Sequence, residues 1–364
     1  MTFVQYGMII AVAAVVTLLV TPLVRVICVH YGLVDKPSRR KVHSTPIPRL
    51  GGVAIFAGLV AAVAFGVVAK SRLGWPLTLF GTAERTNMPM VFAGVALIFA
   101  VGLVDDIWDI PAGWKLAGQV LAALVVAQAG LLIEFVGNPF VGGIQLLGLL
   151  AVPVTVLYLV GFANVVNLID GLDGLAAGVT AIAATSLFVL AAQGNRPEAA
   201  ALAAALIGAC LGFLRYNFHP ASIFMGDSGS MLLGFTLAVI SLLGIMKTTA
   251  AIALAVPLLI IGVPIFDTLL AILRRVRRGQ PIHTADREHI HHRLLGRGFD
   301  QRQTVLIIYV WSGALAVGAY TVRYAPSPVR LGALVALFAV TAVMAHWLGL
   351  FEAAHGSDSD ATRG

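Results

Sequence analysis

The chain has 364 residues, of which 59% are hydrophobic and only 11% charged, whereas a water-soluble globular domain carries roughly 25% charged residues. That balance excludes a soluble domain and predicts an all-α polytopic integral membrane protein: one transmembrane domain over residues 1–352, then a polar tail, 353–364, with the composition of disordered chain. The formal charge of +7 suits loops that meet anionic lipid, and nucleic acid is not an expected partner.

A bilayer core takes about 20 apolar residues per helix. Eleven stretches qualify, at 3–24, 51–69, 88–104, 116–133, 149–168, 174–192, 199–214, 229–246, 250–272, 304–322 and 331–351, the seventh being the weakest. An odd number puts the termini on opposite sides. The loops after spans one, three, five, seven and nine, with the C-terminal tail, hold 17 of the 24 Lys and Arg, so that side is expected to be cytoplasmic and the N-terminus external. The opening MTFVQYG lacks a basic region and Arg25 follows the first span, which reads as an anchor rather than a cleaved signal. Cys28 and Cys210 fall near reducing cytoplasmic ends, where no disulfide is expected.

The first cytoplasmic loop, VDKPSRRKVHSTPIPRLGG, joins Lys36, Arg39, Arg40, Lys41 and Arg49 to prolines that hold it extended. Its cations suit lipid headgroups or a diphosphate; Lys41, His43, Thr45 and Arg49, closest to membrane re-entry, are the better candidates for substrate. The third span ends in GLVDDIWDIPAGWK. Three acids at a helix C-terminus oppose the macrodipole, so Asp105, Asp106 and Asp109 read as a catalytic or metal group, with Asp105 and Asp109 on one face if the helix continues, or else as an acidic helix end.

The fifth span ends in NVVNLIDGLDGL, which sets Asn164, Asn167, Asp170 and Asp173 three residues apart. Such spacing spreads over half a helix circumference. Convergence on one ligand needs a break near Gly171 and Gly174; a plain helix cap and turn is the alternative. After the seventh span comes RYNFHPASIFMGDSGS. Asp227 there is a helix N-cap or, if Ser228 caps, a metal ligand, and Phe224 offers a ring for a nucleobase or for lipid packing. Asp267 pairs with Arg274 or Arg275, or serves function. The last long loop combines arginines with His283, His289, His291 and His292, an anion grip more than a zinc site; a helical HIHH puts His289 and His292 on one face.

The ordered motifs DDIWD, NVVNLIDGLDGL, FMGDSG and HIHHRLL, preceded by HSTPIPRLGG, resemble those of the polyprenyl-phosphate N-acetylhexosamine-1-phosphate transferases over about residues 35–300. The interrupted His289, Ile290, His291, His292 run is similar to the N-acetylglucosamine branch rather than the muramoyl-pentapeptide branch. The resemblance implies a cytoplasmic-face active site that moves N-acetylglucosamine-1-phosphate from a UDP-sugar to a polyprenyl phosphate and releases UMP. It implies Mg²⁺, with Mn²⁺ as a substitute, on Asp227. Asp105 and Asp106 then bind metal or activate the acceptor, and Asp170 joins the catalytic group, supporting the nucleotide site with Asn167. Lys41 and Thr45 contact substrate, Asp173 and Phe224 hold the uracil, and His289, His291 and His292 touch diphosphate or sugar. Membrane lipid is a further partner and a homodimer is admitted.

A phosphate monoester is largely ionised at pH 7, its second pKa being near 6, so a base is scarcely needed and Asp105 is expected to position acceptor or metal. DDIWD also fits the aspartate pattern of prenyl-transferring enzymes, and an intramembrane prenyltransferase or a lipid transporter are the other readings. Acids gathered at one membrane edge, rather than at the midplane, disfavour the transporter.

Overall fold

The computed structural model describes residues 1–35, 46–79, 82–83, 86–137, 144–245, 258, 262–277 and 290–347. Among these are twelve α-helices: α1 (Phe3–His30), α2 (Gly51–Leu73), α3 (Met88–Trp108), α4 (Ala112–Gln128), α5 (Ala151–Ile169), α6 (Leu175–Gln193), α7 (Pro197–Asn217), α8 (Gly226–Ile245), α9 (Gly262–Arg277), α10 (Ile290–Gly296), α11 (Gln301–Tyr324) and α12 (Ser327–Trp347). Eight of them, α1, α2, α3, α5, α6, α7, α8 and α11, are long and apolar enough to cross a bilayer. The protein is therefore a polytopic membrane protein. Shorter apolar helices, α4 and the middle of α12, coincide with the fourth and eleventh expected spans; of the ninth, 250–272, the second half falls in α9, and residues 250–257 and 259–261 lie outside the described residues. The seventh span, weakest in sequence, is a full 21-residue helix.

The purely helical expectation needs one correction. Three short antiparallel ladders join the helices: β1 (Val34–Asp35) with β2 (Ile47–Pro48), β3 (Thr82–Ala83) with β4 (Thr86–Asn87), and β5 (Phe135–Gly137) with β6 (Ile144–Leu146). Each satisfies backbone groups where the chain turns between helices.

Helix ends are set by local chemistry. Thr2 and Gln5 form a reciprocal capping box on α1, and Asp300 and Gln303 do the same on α11. Asn87 caps α3 through Met90 N–H at 3.3 Å. Lipid offers helices little hydrophobic reason to associate, so close packing of small residues takes over. The alanine-rich α7 is buried along nearly its whole length between α1, α6 and α8. Gly208 and Gly212, one turn apart, seat it on α1: a side chain at Gly208 would strike Ile10 and Ala13, and one at Gly212 would strike Ala14 and Thr17. Cys28 and Cys210 are buried and free.

Helices α3, α5 and α7 run to one end of the bundle and α4, α6 and α8 leave from it. Their junctions, with the segment entering α2, gather the polar motifs at that end.

Candidate active site

The N-terminus of α8 is the centre of the site. Asp106, near the end of α3, accepts the Asp227 N–H on Oδ1 at 2.8 Å, and on Oδ2 the Ser228 N–H at 3.0 Å and the Ser228 hydroxyl at 2.6 Å. A carboxylate from one helix thus caps another, satisfying amides that have no partner within α8 and meeting the positive end of its dipole. The sequence reading left capping to Asp227 or Ser228 and gave metal or acceptor work to Asp106; in the structure the capping carboxylate is Asp106 itself. Glycine permits the approach. A side chain at Gly102 would strike the backbone of Asp227 and Ser228, and one at Gly226, whose φ is 69°, would strike the Asp106 carboxylate. The strand entering α2 closes the other flank, with Phe224 N–H to Pro48 O at 2.7 Å, Gly51 N–H to Phe224 O at 2.9 Å and Gly52 N–H to Met225 O at 2.8 Å.

This arrangement leaves the Asp227 side chain free to point outward. Its Oδ1 accepts from Asn167 Nδ2 at 2.8 Å, and the same nitrogen reaches Ser230 Oγ at 2.8 Å. Its Oδ2 pairs with the Lys115 ammonium, which also meets Asp105 Oδ2 at 3.0 Å. Asp105 Oδ1 takes the Ile110 N–H at 3.1 Å. The helix does not continue to Asp109, as it would have to for that residue to share a face with Asp105: α3 ends at Trp108, and Asp109 turns into the left-handed region at φ 53° with its side chain exposed.

A cleft of about 630 Å³ opens over Asp227. Of the residues singled out in sequence, it is lined by Arg49, Asp106, Asn167, Asp170, Asp173, Phe224, Asp227, His291 and His292. Asp105 stands behind Asp227, joined to it through Lys115. Lys41, Thr45, His43, His283 and His289 lie outside the described residues.

The NVVNLIDGLDGL stretch breaks where the glycines predict. Helix α5 stops at Ile169, α6 starts after Gly174 at φ 78°, and Asp170 and Asp173 sit in the turn between. Convergence of all four polar residues is overturned at one position: Asn164 turns into the bundle and pairs with Gln119. Asp173 Oδ2 is 2.7 Å from His219 Nδ1 and accepts the Ala221 N–H at 3.0 Å. Asn217 ties the two turns together, accepting Gly174 N–H at 3.1 Å and donating to Ile223 O at 3.0 Å. Burial, with the neighbouring charges of Asp227, Asp106 and Asp173, pushes the Asp170 carboxyl up to about 8.

Asp267 accepts the Ile290 N–H at 2.9 Å and so caps α10; the side chains of Arg274 and Arg275 lie outside the described set. His291 is 3% exposed, close beneath Gly171, with its ring 4.3 Å from that of His292. His291 is therefore packed against the turn as well as lining the cleft. Sequence reasoning also missed Lys115, counted there only as a loop charge, together with His219, Asn217 and Gln119. Lys115 stands ten residues after Asp105 at the head of an apolar helix, and that placement was its one visible signal.

Five aspartates line the cleft, Asp35, Asp106, Asp170, Asp173 and Asp227, against Arg49 as the sole arginine among the described residues. Arg49 Nε is buried without a hydrogen-bond partner among them. Such a donor set repels a diphosphate unless a cation accompanies it. Among the described residues no group of three or more His, Cys, Asp or Glu could alone hold a metal. Magnesium binds through one or two carboxylates plus substrate phosphates rather than a protein cage, so Asp227 with a diphosphate fits it.

Residues 88–245 match glycosyl transferase family 4. The whole chain has close relatives too. Over 339 residues, 93% of this chain and 91% of the relative, it is 40% identical to a probable undecaprenyl-phosphate N-acetylglucosaminyl 1-phosphate transferase of Bacillus subtilis (strain 168). The chain belongs to the polyprenyl-phosphate N-acetylglucosamine-1-phosphate transferase branch of that family. A decaprenyl-phosphate N-acetylglucosaminephosphotransferase of Mycolicibacterium smegmatis is 40% identical over 84% of this chain and 79% of its own length. An undecaprenyl-phosphate alpha-N-acetylglucosaminyl 1-phosphate transferase of Yersinia pestis is 30% identical over 80% and 78%. The family match spans α3 to α8, the helices that build the Asp106, Asp227, Lys115 and Asn167 cluster.

Proposed function

We propose that the protein transfers N-acetylglucosamine-1-phosphate from UDP-N-acetylglucosamine to a polyprenyl phosphate, undecaprenyl or decaprenyl, releasing UMP and starting cell-envelope glycan synthesis. The observation that carries this reading is the convergence of four sequence motifs on one cleft, in a chain 40% identical to a named transferase over nearly its full length. The site opens on the cytoplasmic face of a bundle with eleven spans; the uneven distribution of Lys and Arg supports both the orientation and the count.

Phosphoryl transfer needs positioning and charge neutralisation more than covalent help from the protein. Asp227, beside Asp105, would hold magnesium, which when bound would supply charge neutralisation on the diphosphate. Asn167 fixes the rotamer of Asp227, and Asp106 fixes the helix end from which it projects. Lys115 brings a positive charge to the side of Asp227 that faces Asp105, where it can meet phosphate oxygens of the acceptor. Both Asp105 oxygens are already engaged, which suits a positioning group better than a base.

In the cleft, Arg49, His291 and His292 face the donor's diphosphate and sugar. Asp173, oriented by His219 and the Ala221 amide, keeps Oδ1 for the uracil, with Phe224 beside it. The purified protein, given Mg²⁺, polyprenyl phosphate and a panel of UDP-sugars, is expected to form UMP and a lipid of the mass of polyprenyl diphosphate N-acetylglucosamine. No lipid product with any donor would reject the reading.

A further inference from the structure

One helical turn further into the bundle than the site, three helices meet through an amide junction. Gln119 of α4, 1% exposed, donates Nε2 to Asn164 Oδ1 of α5 at 3.3 Å and to Met231 Sδ of α8 at 3.0 Å. Its Oε1 accepts from Asn164 Nδ2 at 2.7 Å, a nitrogen that also reaches Val160 O at 2.8 Å. Each member of this junction stands one turn from a member of the site. Gln119 follows Lys115 by four residues, Asn164 precedes Asn167 by three, and Met231 follows Asp227 by four.

We propose that Gln119 is a positioning residue for phosphoryl transfer: by locking α4 in register with α5 and α8, it holds Lys115 against Asp227 and Asn167 beside it. A slip of one residue turns a helix by about 100° and shifts it by about 1.5 Å, which would swing Lys115 away from both carboxylates. Lysine's flexible four-carbon stem does not itself fix where the charge sits, so the position of the helix that carries it must. Helix α4 needs an external lock, being short, tied to α3 by a three-residue turn and, among the described residues, packed chiefly against α3 and α5. An aliphatic side chain would fill the same space without an amide to satisfy. Interhelical hydrogen bonds in membranes contribute little to stability on average, so geometry is the stronger reason for an amide here, much as one buried asparagine fixes coiled-coil register.

The inference rests on the transferase reading, and its test separates the two. Intact protein carrying Gln119→Leu, Gln119→Asn, Asn164→Gln or the exchange Gln119→Asn with Asn164→Gln is compared with the parent in detergent. Readouts are kcat, KM for both substrates, UDP-N-acetylglucosamine binding by calorimetry, and melting temperature. Gln119→Leu is expected to keep melting temperature and donor binding while kcat falls about 100-fold, the scale of a misplacement of roughly 1 Å in an active site. The exchange rebuilds an amide pair of the same total length and is expected to recover most of the loss. Unchanged kcat in Gln119→Leu overturns the proposal. So does an exchange variant, folded or not, no more active than Gln119→Asn alone. An inactive parent would instead overturn the transferase reading.

Discussion

Lys115 and Asp227, 112 residues apart in sequence, form an ion pair between the first turns of α4 and α8, with Asp105 on the far side of the same ammonium. One cation thus gathers two carboxylates beside the donor cleft. Replacing Lys115 with Met removes the charge and keeps the stem. Turnover should drop by about 10²–10³, the usual cost of losing one charge-stabilising donor, while donor binding in the cleft changes little. Steady-state rates set against calorimetric donor affinity check both halves.

Asp227→Asn keeps shape and the Asn167 contact but halves the charge of the pair around Lys115. Turnover should nearly vanish and the Mg²⁺ concentration for half-maximal rate should rise steeply. Near-normal turnover at limiting Mg²⁺ would remove Asp227 from the metal.

Asp170 predicts a pH effect on stability. Its carboxyl is pushed up to about 8, well above the ~3.9 of an unfolded chain, so the native state holds a proton that the unfolded state has released. Stability contributed this way is complete below about pH 4, declines through neutrality, and levels off above about pH 8. Asp170→Asn should flatten that slope and raise the melting temperature at pH 8 more than at pH 5. Melting curves across pH 5–9 in detergent decide it, and parallel curves for the two proteins would refute it.

Much of the site was legible because polar residues are conspicuous in an apolar chain. Asp227, Asp170 and Asp173 declared themselves by standing at span ends next to glycine, and Asn167 by its spacing of three residues from Asp170. What stayed hidden depends on partners distant in sequence. The capping of α8 by Asp106 crosses 121 residues, and no local signal announces it. Lys115 looked like an ordinary anchor at a membrane edge, and Gln119 like an isolated polar residue within a span. The burial of His291 was hidden for a related reason: it comes from Gly171, on a turn 120 residues earlier.

Donor choice gives a further prediction. His291, buried beneath Gly171, and His292 beside it present their rings to the cleft in fixed positions. Sites that hydrogen-bond a particular group can discriminate by about 10⁴, so UDP-N-acetylglucosamine should be used far more efficiently than UDP-muramoyl-pentapeptide. Comparable kcat/KM for the two would dismiss the histidine run as a selector. His291→Ala should lower melting temperature as well as rate, because it opens a hole under the turn.

Orientation is open to direct labelling. A cysteine at Ser38 should react with an impermeant maleimide only from the cytoplasm, and one at Thr82 only from outside. Reaction of both from the same side would break the proposed topology.

The seating of α7 on α1 bears on how the protein is made. Helix α1 enters the bilayer first and finds α2 soon after, but its contact with Gly208 and Gly212 waits until five more helices have been synthesised. An alanine-rich segment such as α7 has less affinity for lipid than α1 and α2, with a mean hydropathy of 1.8 against 2.5 for each of those. A ready-made groove on α1 therefore stands in for the lipid affinity that α7 lacks. Biogenesis, rather than catalysis, is where Gly212→Leu should be felt: the nascent chain would be left with a spanning segment that has no place to dock, and would be cleared by quality-control proteases before the active site ever assembled.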